Sequence, residues 1–214
     1  RSPCHSGKDR EGDTGKRQRV KLKDKVALIT GGGRGIGKAV ALAYAREGVK
    51  LVICARTASE VEQTAGEIRG LGTECFGLVG DVSVEDSVAT LGKDLENHFG
   101  RVDILVNNAG VMTRPVSLVE LEVRKWDYTL AVNLRGAFLV TRTILPLMLR
   151  QKIGSIINVS STIGRGAYAN FAAYAVSKWG VEGLTQTLAA EVKSHNIRVN
   201  SVDPGYVATK LTGY

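Results

Sequence analysis

Six short, almost uninterrupted apolar runs alternate with helix-periodic stretches from Lys25 onward, and nothing else in the chain narrows its possible folds as much. The runs are Val26 to Thr30, Leu51 to Ala55, Cys75 to Gly80, Val102 to Val106, Ser155 to Val159 and Ile197 to Val202. Strands without strict in–out alternation are buried on two sides, and an intervening helix supplies both the crossover and the cover. The expectation is one α/β domain built on a parallel sheet with helices on both faces.

The helical stretches carry their own signals. Ile36, Val40 and Ala43 mark the buried side of the first, which Gly48 stops. Thr57 and Glu60 form a Thr-x-x-Glu capping box that opens the second, with Val61, Ala65, Ile68 and Leu71 facing inward and Gly72 ending it. The third begins at Ser83 and buries Val84, Val88, Leu91, Leu95 and Phe99 before Gly100. Two longer tracts follow, from about Glu122 to Arg150 and from Phe171 to His195.

Composition sets outer limits. With 214 residues, 43% hydrophobic and 23% charged, the chain has ample material for a core and is neither disordered nor collagen-like. It contains no run of about 18 uncharged apolar residues, which excludes a membrane span. The net charge of +8 is unevenly placed: residues 1–25 hold nine Lys/Arg against four Asp/Glu, leaving only +3 for the remainder. Residues 1–23 read as a disordered, solvated basic arm, and 24–214 as the folded domain. Such an arm can attract nucleic acid or an anionic membrane. The interleaved Asp9, Glu11 and Asp13 favour a plain tail, with neither partner expected. Cys4, Cys54 and Cys75 are odd in number and match no metal-ligand spacing, so no metal site is expected. They suit a reducing setting: the cytoplasm, with an organelle lumen not excluded. The first methionine is Met112, which reads as a processed chain or fragment.

The turn after the first strand reads Thr30-Gly31-Gly32-Gly33-Arg34-Gly35-Ile36-Gly37. Glycines let a backbone approach a pyrophosphate, and the following helix N-terminus offers unpaired N–H groups and positive dipole. The spacing is T-G-x-x-x-G-x-G, since Ile36 replaces the last glycine of G-x-G-x-x-G. At the end of the second strand, an acidic residue would bond the adenosine ribose 2′-hydroxyl and select NAD. Arg56 stands there instead, and Arg34 lies in the glycine loop. Two forked cations suit a 2′-phosphate, so NADP(H) is expected ahead of NAD(H). Farther on, Tyr174 and Lys178 share a helix face one turn apart. A phenol titrates near 10, too high for neutral acid–base work unless a nearby ammonium lowers it. Ser161, thirteen residues before Tyr174, follows a strand on the same edge and is placed to hold a substrate oxygen beside the phenol.

Taken in order, these motifs resemble the short-chain dehydrogenase/reductase family over residues 24–214, nearest to its 3-oxoacyl-(acyl carrier protein) reductase-like members. The match adds Asp81-Val82, Asn107-Asn108-Ala109-Gly110, Asn133 and Pro204-Gly205. The resemblance implies a Rossmann-type, doubly wound sheet in the order 3-2-1-4-5-6. It also implies an oxidoreductase that interconverts a ketone and a secondary alcohol, and a homodimer or homotetramer. It assigns Tyr174 as proton donor or acceptor and Ser161 as the group orienting the substrate oxygen. Lys178 binds the nicotinamide ribose and lowers the Tyr174 pKa, and Asn133 holds a relay water. Gly31, Gly33, Arg34, Gly35, Ile36, Gly37, Arg56, Asp81, Val82 and Asn108 take the adenosine and pyrophosphate side. Pro204, Gly205, Val207 and Thr209 border the carboxamide. Asn107 is expected to be structural, Asp203 a turn residue, His98 and His195 surface residues near helix ends. Trp126 and Trp179 are expected in the core or at a subunit contact.

Family members continue beyond the Pro-Gly loop into a substrate-covering segment, a further helix and a seventh strand. Only Lys210 to Tyr214 stand for that region here, so the domain reads as truncated at that end. The alternative reading is a nucleotide-binding module with little turnover.

Overall fold

The computed structural model describes residues 22–209, 211 and 213. The basic arm up to residue 21, with Cys4, and Lys210 lie outside the described residues. Strands β1 (Val26–Thr30), β2 (Lys50–Ala55), β3 (Cys75–Val79), β4 (Ile104–Asn107), β5 (Gly154–Val159) and β6 (Ile197–Val202) form one sheet in the order β3-β2-β1-β4-β5-β6. Every pairing is parallel. The order reverses between β1 and β4, and that switch point opens a crevice at the carboxyl ends of the strands.

Helices α1 (Gly35–Arg46) and α2 (Ala58–Gly70) cover one face, where Ala41, Ala45, Val61, Ala65 and Ile68 meet Ile29, Leu51 and Ile53. Helices α3 (Glu85–Phe99), α5 (Gly136–Gln151) and α6 (Ala172–Val192) cover the other, packing Leu95, Ile144, Met148 and Leu188 on Leu28, Leu105 and Ile156. The expectation of two covered faces needs correcting at one end. In β6, Ile197 and Val199 are buried while Arg198 and Asn200 are exposed, so that strand alternates and its second face is open among the described residues.

Four local expectations are also corrected. On α1 the buried stripe is Gly37, Ala41 and Ala45; of the expected residues Val40 packs against the core partly buried, Ile36 is half-buried and Ala43 is exposed. Small residues win that side because the helix lies so close to the glycine turn that a β-carbon on Gly37 would sit 2.3 Å from the Gly31 carbonyl oxygen. Thr57 caps α2 by backbone position without a side-chain bond, so the capping box does not form. Glu60 faces Arg34 instead, 3.7 Å away. Leu71, just past the last turn of α2, is exposed, and Thr64 occupies the buried stripe. Helix α3 starts at Glu85, and Val84 is its exposed N-cap.

The tract from Val123 to Gln151 is α4 (Val123–Leu130), a π-helical turn over Ala131–Arg135, and α5. Together they make a helix long and apolar enough by composition to cross a membrane. Here its apolar side, with Val132, Leu139, Val140, Ile144 and Leu147, forms a layer of the domain core. The π turn carries Asn133, and such turns interrupt helices mostly where a side chain has to be aimed.

Candidate active site

The crevice begins at the turn between β1 and α1. Gly31 adopts φ +65°, and a β-carbon there would lie 2.8 Å from Asn108 Nδ2. Thr30 organises the turn from below: its hydroxyl accepts the backbone N–H groups of Asn108 (3.0 Å) and Ala109 (3.1 Å). Asn108 Nδ2 donates to the carbonyls of Thr30 (2.9 Å) and Gly31 (3.2 Å). The conformation of the glycine loop is therefore set by the residues just past β4, three strands on in the chain but adjacent in the sheet. The Asn108 side chain braces that loop.

A groove of about 420 Å³ runs from this turn across the ends of β2, β3 and β4. Gly31, Gly33, Arg34, Gly35 and Ile36 form its first wall, with Arg56, Asp81, Val82 and Asn108 farther along and Gly110 and Val111 at the inner end. Gly37 lies under the turn, fully buried. Thr209 closes over the glycines, its methyl group 3.5 Å from where a Gly35 β-carbon would be. Pro204, Gly205 and Val207 stand on the neighbouring loop outside this groove. The first turn of α1 has no acidic residue and its N-cap makes no side-chain bond, so its N–H groups and dipole are uncompensated toward the groove. A tight glycine cradle with that polarity fits a dianionic pyrophosphate.

The two arginines are more committed than their sequence positions imply. Arg34 faces Glu60, while Arg56 faces Asp81 at 3.7 Å, bonds the Tyr128 hydroxyl and lies over its ring. Both guanidinium groups are about half exposed at the groove mouth. Burial works against the Asp81 carboxylate, but the Ser83 hydroxyl and N–H with Arg56 hold it below the usual range. On the groove floor, burial and the charge of Asp81 push the Cys54 thiol up to about 12, leaving it unreactive.

The four expected reacting-end residues are not in the groove lining but stand behind Gly110 at its inner end. Tyr174, Lys178, Ser161 and Asn133 are all buried. The Ser161 hydroxyl stands near enough to the Tyr174 phenol to favour its ionised form. Lys178 Nζ lies 5.7 Å from the Tyr174 ring centroid and donates to the Val159 carbonyl at 2.7 Å. The same ammonium is 3.8 Å from the β-carbon position of Gly110, which joins this cluster to the groove. Asn133 Oδ1 accepts the Val111 N–H at 2.7 Å, and its Nδ2 donates to the Val111 carbonyl and to Ser177 Oγ. Both amide hydrogens are used, so one lone pair on Oδ1 is the side chain's remaining capacity.

One electrostatic expectation is corrected. Burial raises the Tyr174 phenol above 10, and the Ser161 hydroxyl only partly opposes it. Burial also lowers Lys178 to about 8. The ammonium is turned to a backbone carbonyl, so its pull on the phenol is weak in this arrangement.

Sequence reasoning passed over several supports. Ser177, fully buried, bridges Asn133 to the Tyr174 carbonyl, to which it donates at 2.7 Å. Thr30 was quoted only as the start of a glycine motif. Asp203 does more than occupy a turn: it pairs with Arg165 at 2.6 Å. Asn107 has the structural role expected, tying Thr141 to Asn158 through two 2.8 Å bonds. His98 stacks on Phe76 and bonds Glu74 at the surface, and Trp179 is exposed rather than in the core.

With this geometry, a match of the short chain dehydrogenase family profile to residues 25–214 decides the affiliation. The chain belongs to the short-chain dehydrogenase/reductase family. It is 39% identical over 193 residues to a 3-oxoacyl-(acyl-carrier-protein) reductase of Thermotoga maritima, covering 90% of this chain and 78% of that one. Among solved structures it is similar to a metagenomic short-chain oxidoreductase in complex with NADP, at 38% identity and TM-score 0.83, over 87% of this chain and 84% of that one. It is also similar to an NAD⁺-bound xylitol dehydrogenase, at 34% identity and TM-score 0.85, over 87% and 72%. The chain is thus a Rossmann-type member of an oxidoreductase family, similar to 3-oxoacyl-(acyl-carrier-protein) reductases.

Proposed function

We propose that the protein is an NADP(H)-dependent oxidoreductase that interconverts a ketone and a secondary alcohol, with a 3-oxoacyl thioester or similar carbonyl compound as substrate. The observation that carries this reading is that Ser161, Tyr174 and Lys178 lie together just behind Gly110, which lines the inner end of a glycine-walled groove. When bound, the nicotinamide ring supplies or takes up the hydride. Everything else falls to the chain. The glycine turn and the α1 N-terminus hold the pyrophosphate, while Arg34 and Arg56 reach the adenosine 2′-phosphate by rotating from Glu60 and Asp81. Asp81, Val82 and Asn108 line the adenosine side, and Pro204, Gly205, Val207 and Thr209 approach the carboxamide side.

Ser161 donates a hydrogen bond to the substrate oxygen, fixing it beside the Tyr174 hydroxyl. In the reductive direction Tyr174 gives its proton to that oxygen as negative charge develops there, and in the oxidative direction it takes the proton back. The raised phenol pKa suits the donor role. Lys178 turns from the Val159 carbonyl to the cofactor ribose, stabilising the phenolate left behind. Asn133 braces the Val111 strand end and Ser177 beneath Tyr174, with one lone pair left for a relay water.

A homodimer or homotetramer is supported by apolar surface on α5 and α6, where Phe138, Val176 and Trp179 are about half exposed. Two free, buried thiols, Cys54 and Cys75, are in keeping with a reducing compartment such as the cytoplasm. The test is fluorescence titration with NADPH and NADH, followed by turnover of acetoacetyl thioesters. NADPH should bind about 10-fold or more tightly than NADH, as a charge-assisted contact to phosphate implies. Equal affinity removes the arginine argument, and tight binding with no turnover of any carbonyl favours the nucleotide-binding module instead.

A further inference from the structure

Behind the reacting end lies a cluster of charges that proton transfer does not use. Arg165 follows the short 3₁₀ turn Thr162–Gly164 that Ser161 caps. Glu182 stands on α6 one helical turn beyond Lys178, and Asp203 immediately precedes Pro204. The Arg165 fork bridges the two carboxylates: Nη2 lies 3.2 Å from Glu182 Oε2 and Nε 2.6 Å from Asp203 Oδ2. Ser201 Oγ donates to Glu182 Oε2 at 2.9 Å. Ser160, the neighbour of Ser161, donates to the Lys178 carbonyl at 3.4 Å, and its hydroxyl helps hold the Glu182 carboxyl low.

We propose that Arg165, Glu182 and Asp203 are positioning residues, a three-way clamp that fixes the Ser161 loop and the Pro204–Gly205 loop against α6. This rests on the reading of Ser161 and Tyr174 given above. Three segments distant in sequence meet here through these charged side chains and the Ser201 hydroxyl. Outside the sheet, and among the described residues, backbone bonds link them through Ser160 N–H to the carbonyl of Val202, the last residue of β6, and Thr162 N–H to the Pro204 carbonyl. The charges fix the geometry further. Glu182 Oε1 and Asp203 Oδ1 are both buried and lack a heavy-atom donor. Two carboxylates share the one Arg165 guanidinium. Burial and the adjacent Glu182 raise the Asp203 carboxyl, while Glu182, despite burial, is held low by its hydroxyl partners and Arg165. Asp203 accepts from Arg165 through Oδ2 and Glu182 through Oε2. Only a planar fork spans both acceptors, so lysine is a poor replacement.

The test compares Arg165→Ala, Arg165→Lys and Asp203→Asn in the full chain. Arg165 is largely exposed, so its removal leaves folding intact. In Arg165→Ala, amide hydrogen exchange should rise about 10-fold or more in residues 160–166 and 203–206, and stay within about 2-fold in residues 31–37. With an acetoacetyl thioester, kcat should fall about 10-fold, as loss of orientation implies, while NADPH affinity moves no more than about 2-fold. Arg165→Lys should recover the exchange protection and kcat only in part. The Asp203→Asn side chain keeps an oxygen that accepts from Arg165, so this variant should stay within about 3-fold of the parent. Unchanged exchange in both loops, raised exchange with unchanged kcat, or a loss in Asp203→Asn as large as in Arg165→Ala each overturns the clamp. If the parent protein turns over no carbonyl at all, the proposed activity fails, and the exchange comparison decides the clamp by itself.

Discussion

Tyr174 and Lys178 are one helical turn apart, yet burial moves both away from where an exposed pair would titrate. The phenol is raised and the ammonium lowered to about 8, in each case by desolvation first. At neutral pH the phenol is therefore protonated and the lysine still largely charged. Tyr174→Phe removes the transferable proton and nothing that touches the glycine turn. Its kcat should fall about 10²- to 10⁴-fold, with NADPH affinity unchanged in the same titration. Retained turnover would displace Tyr174 from its role. Lys178 gives a second residue-scale expectation. Its folded value lies below the ordinary 10.5, so between about pH 8 and 10.5 the unfolded chain holds more protons and stability rises with pH. The full contribution is on the order of 3 kcal/mol. Cys75 and Cys54, pushed up to about 11 and about 12, act in the opposite direction above pH 9. Urea denaturation of the parent and Lys178→Met between pH 8 and 9 isolates the lysine: the parent should gain stability relative to the variant as pH rises.

At the scale of elements, the closeness of α1 to the sheet is what makes the glycine turn a cradle. A β-carbon on Gly37 would meet Gly31 O at 2.3 Å and Asn108 Nδ2 at 2.5 Å, both held by β4. Gly37→Ala should cost about 1–3 kcal/mol or more and weaken NADPH binding, because the helix has to move outward. Gly66 in α2 is exposed with open space around its β-carbon position. Gly66→Ala should instead stabilise by about 0.5–1 kcal/mol without affecting binding. Thermal unfolding and cofactor titration of the pair check both signs. Motif and element coincide at this turn: the T-G-x-x-x-G-x-G spacing located the cradle before its partners were known. The inward side of α1 was harder to read. Apolarity pointed to Ile36, Val40 and Ala43, whereas close approach selects the smallest side chains, and hydrophobic periodicity does not weigh proximity.

For the whole molecule, the groove lining among the described residues runs from Gly31 to Leu211. Deleting residues 1–20 should leave NADPH affinity within about 2-fold and the melting temperature nearly unchanged. A larger loss would give the arm a binding role. A parallel sheet with helices on both faces was legible from the alternation of apolar runs and helical periods, because a run without in–out alternation needs two covered faces; the strand order, and with it the β1/β4 switch point, came from the family resemblance. The open second face of β6 was visible too, in the alternation of Ile197, Arg198, Val199 and Asn200, though its length and apolar ends drew attention away.

Residue identities at fixed spacings along the chain determined that a glycine turn follows the first strand, a serine the fifth, and a Tyr–Lys pair shares one turn of the next long helix, since local geometry and parallel topology translate spacing into place. Contacts between segments far apart in sequence were decided only by the tertiary structure. These include the bracing of the glycine turn by Asn108 and Thr30, the engagement of Arg34 and Arg56 by Glu60, Asp81 and Tyr128, and the bridging of Glu182 and Asp203 by Arg165. Charge and hydrogen-bond partnerships depend on distance and burial, and neither is a property of a residue until the chain has folded around it.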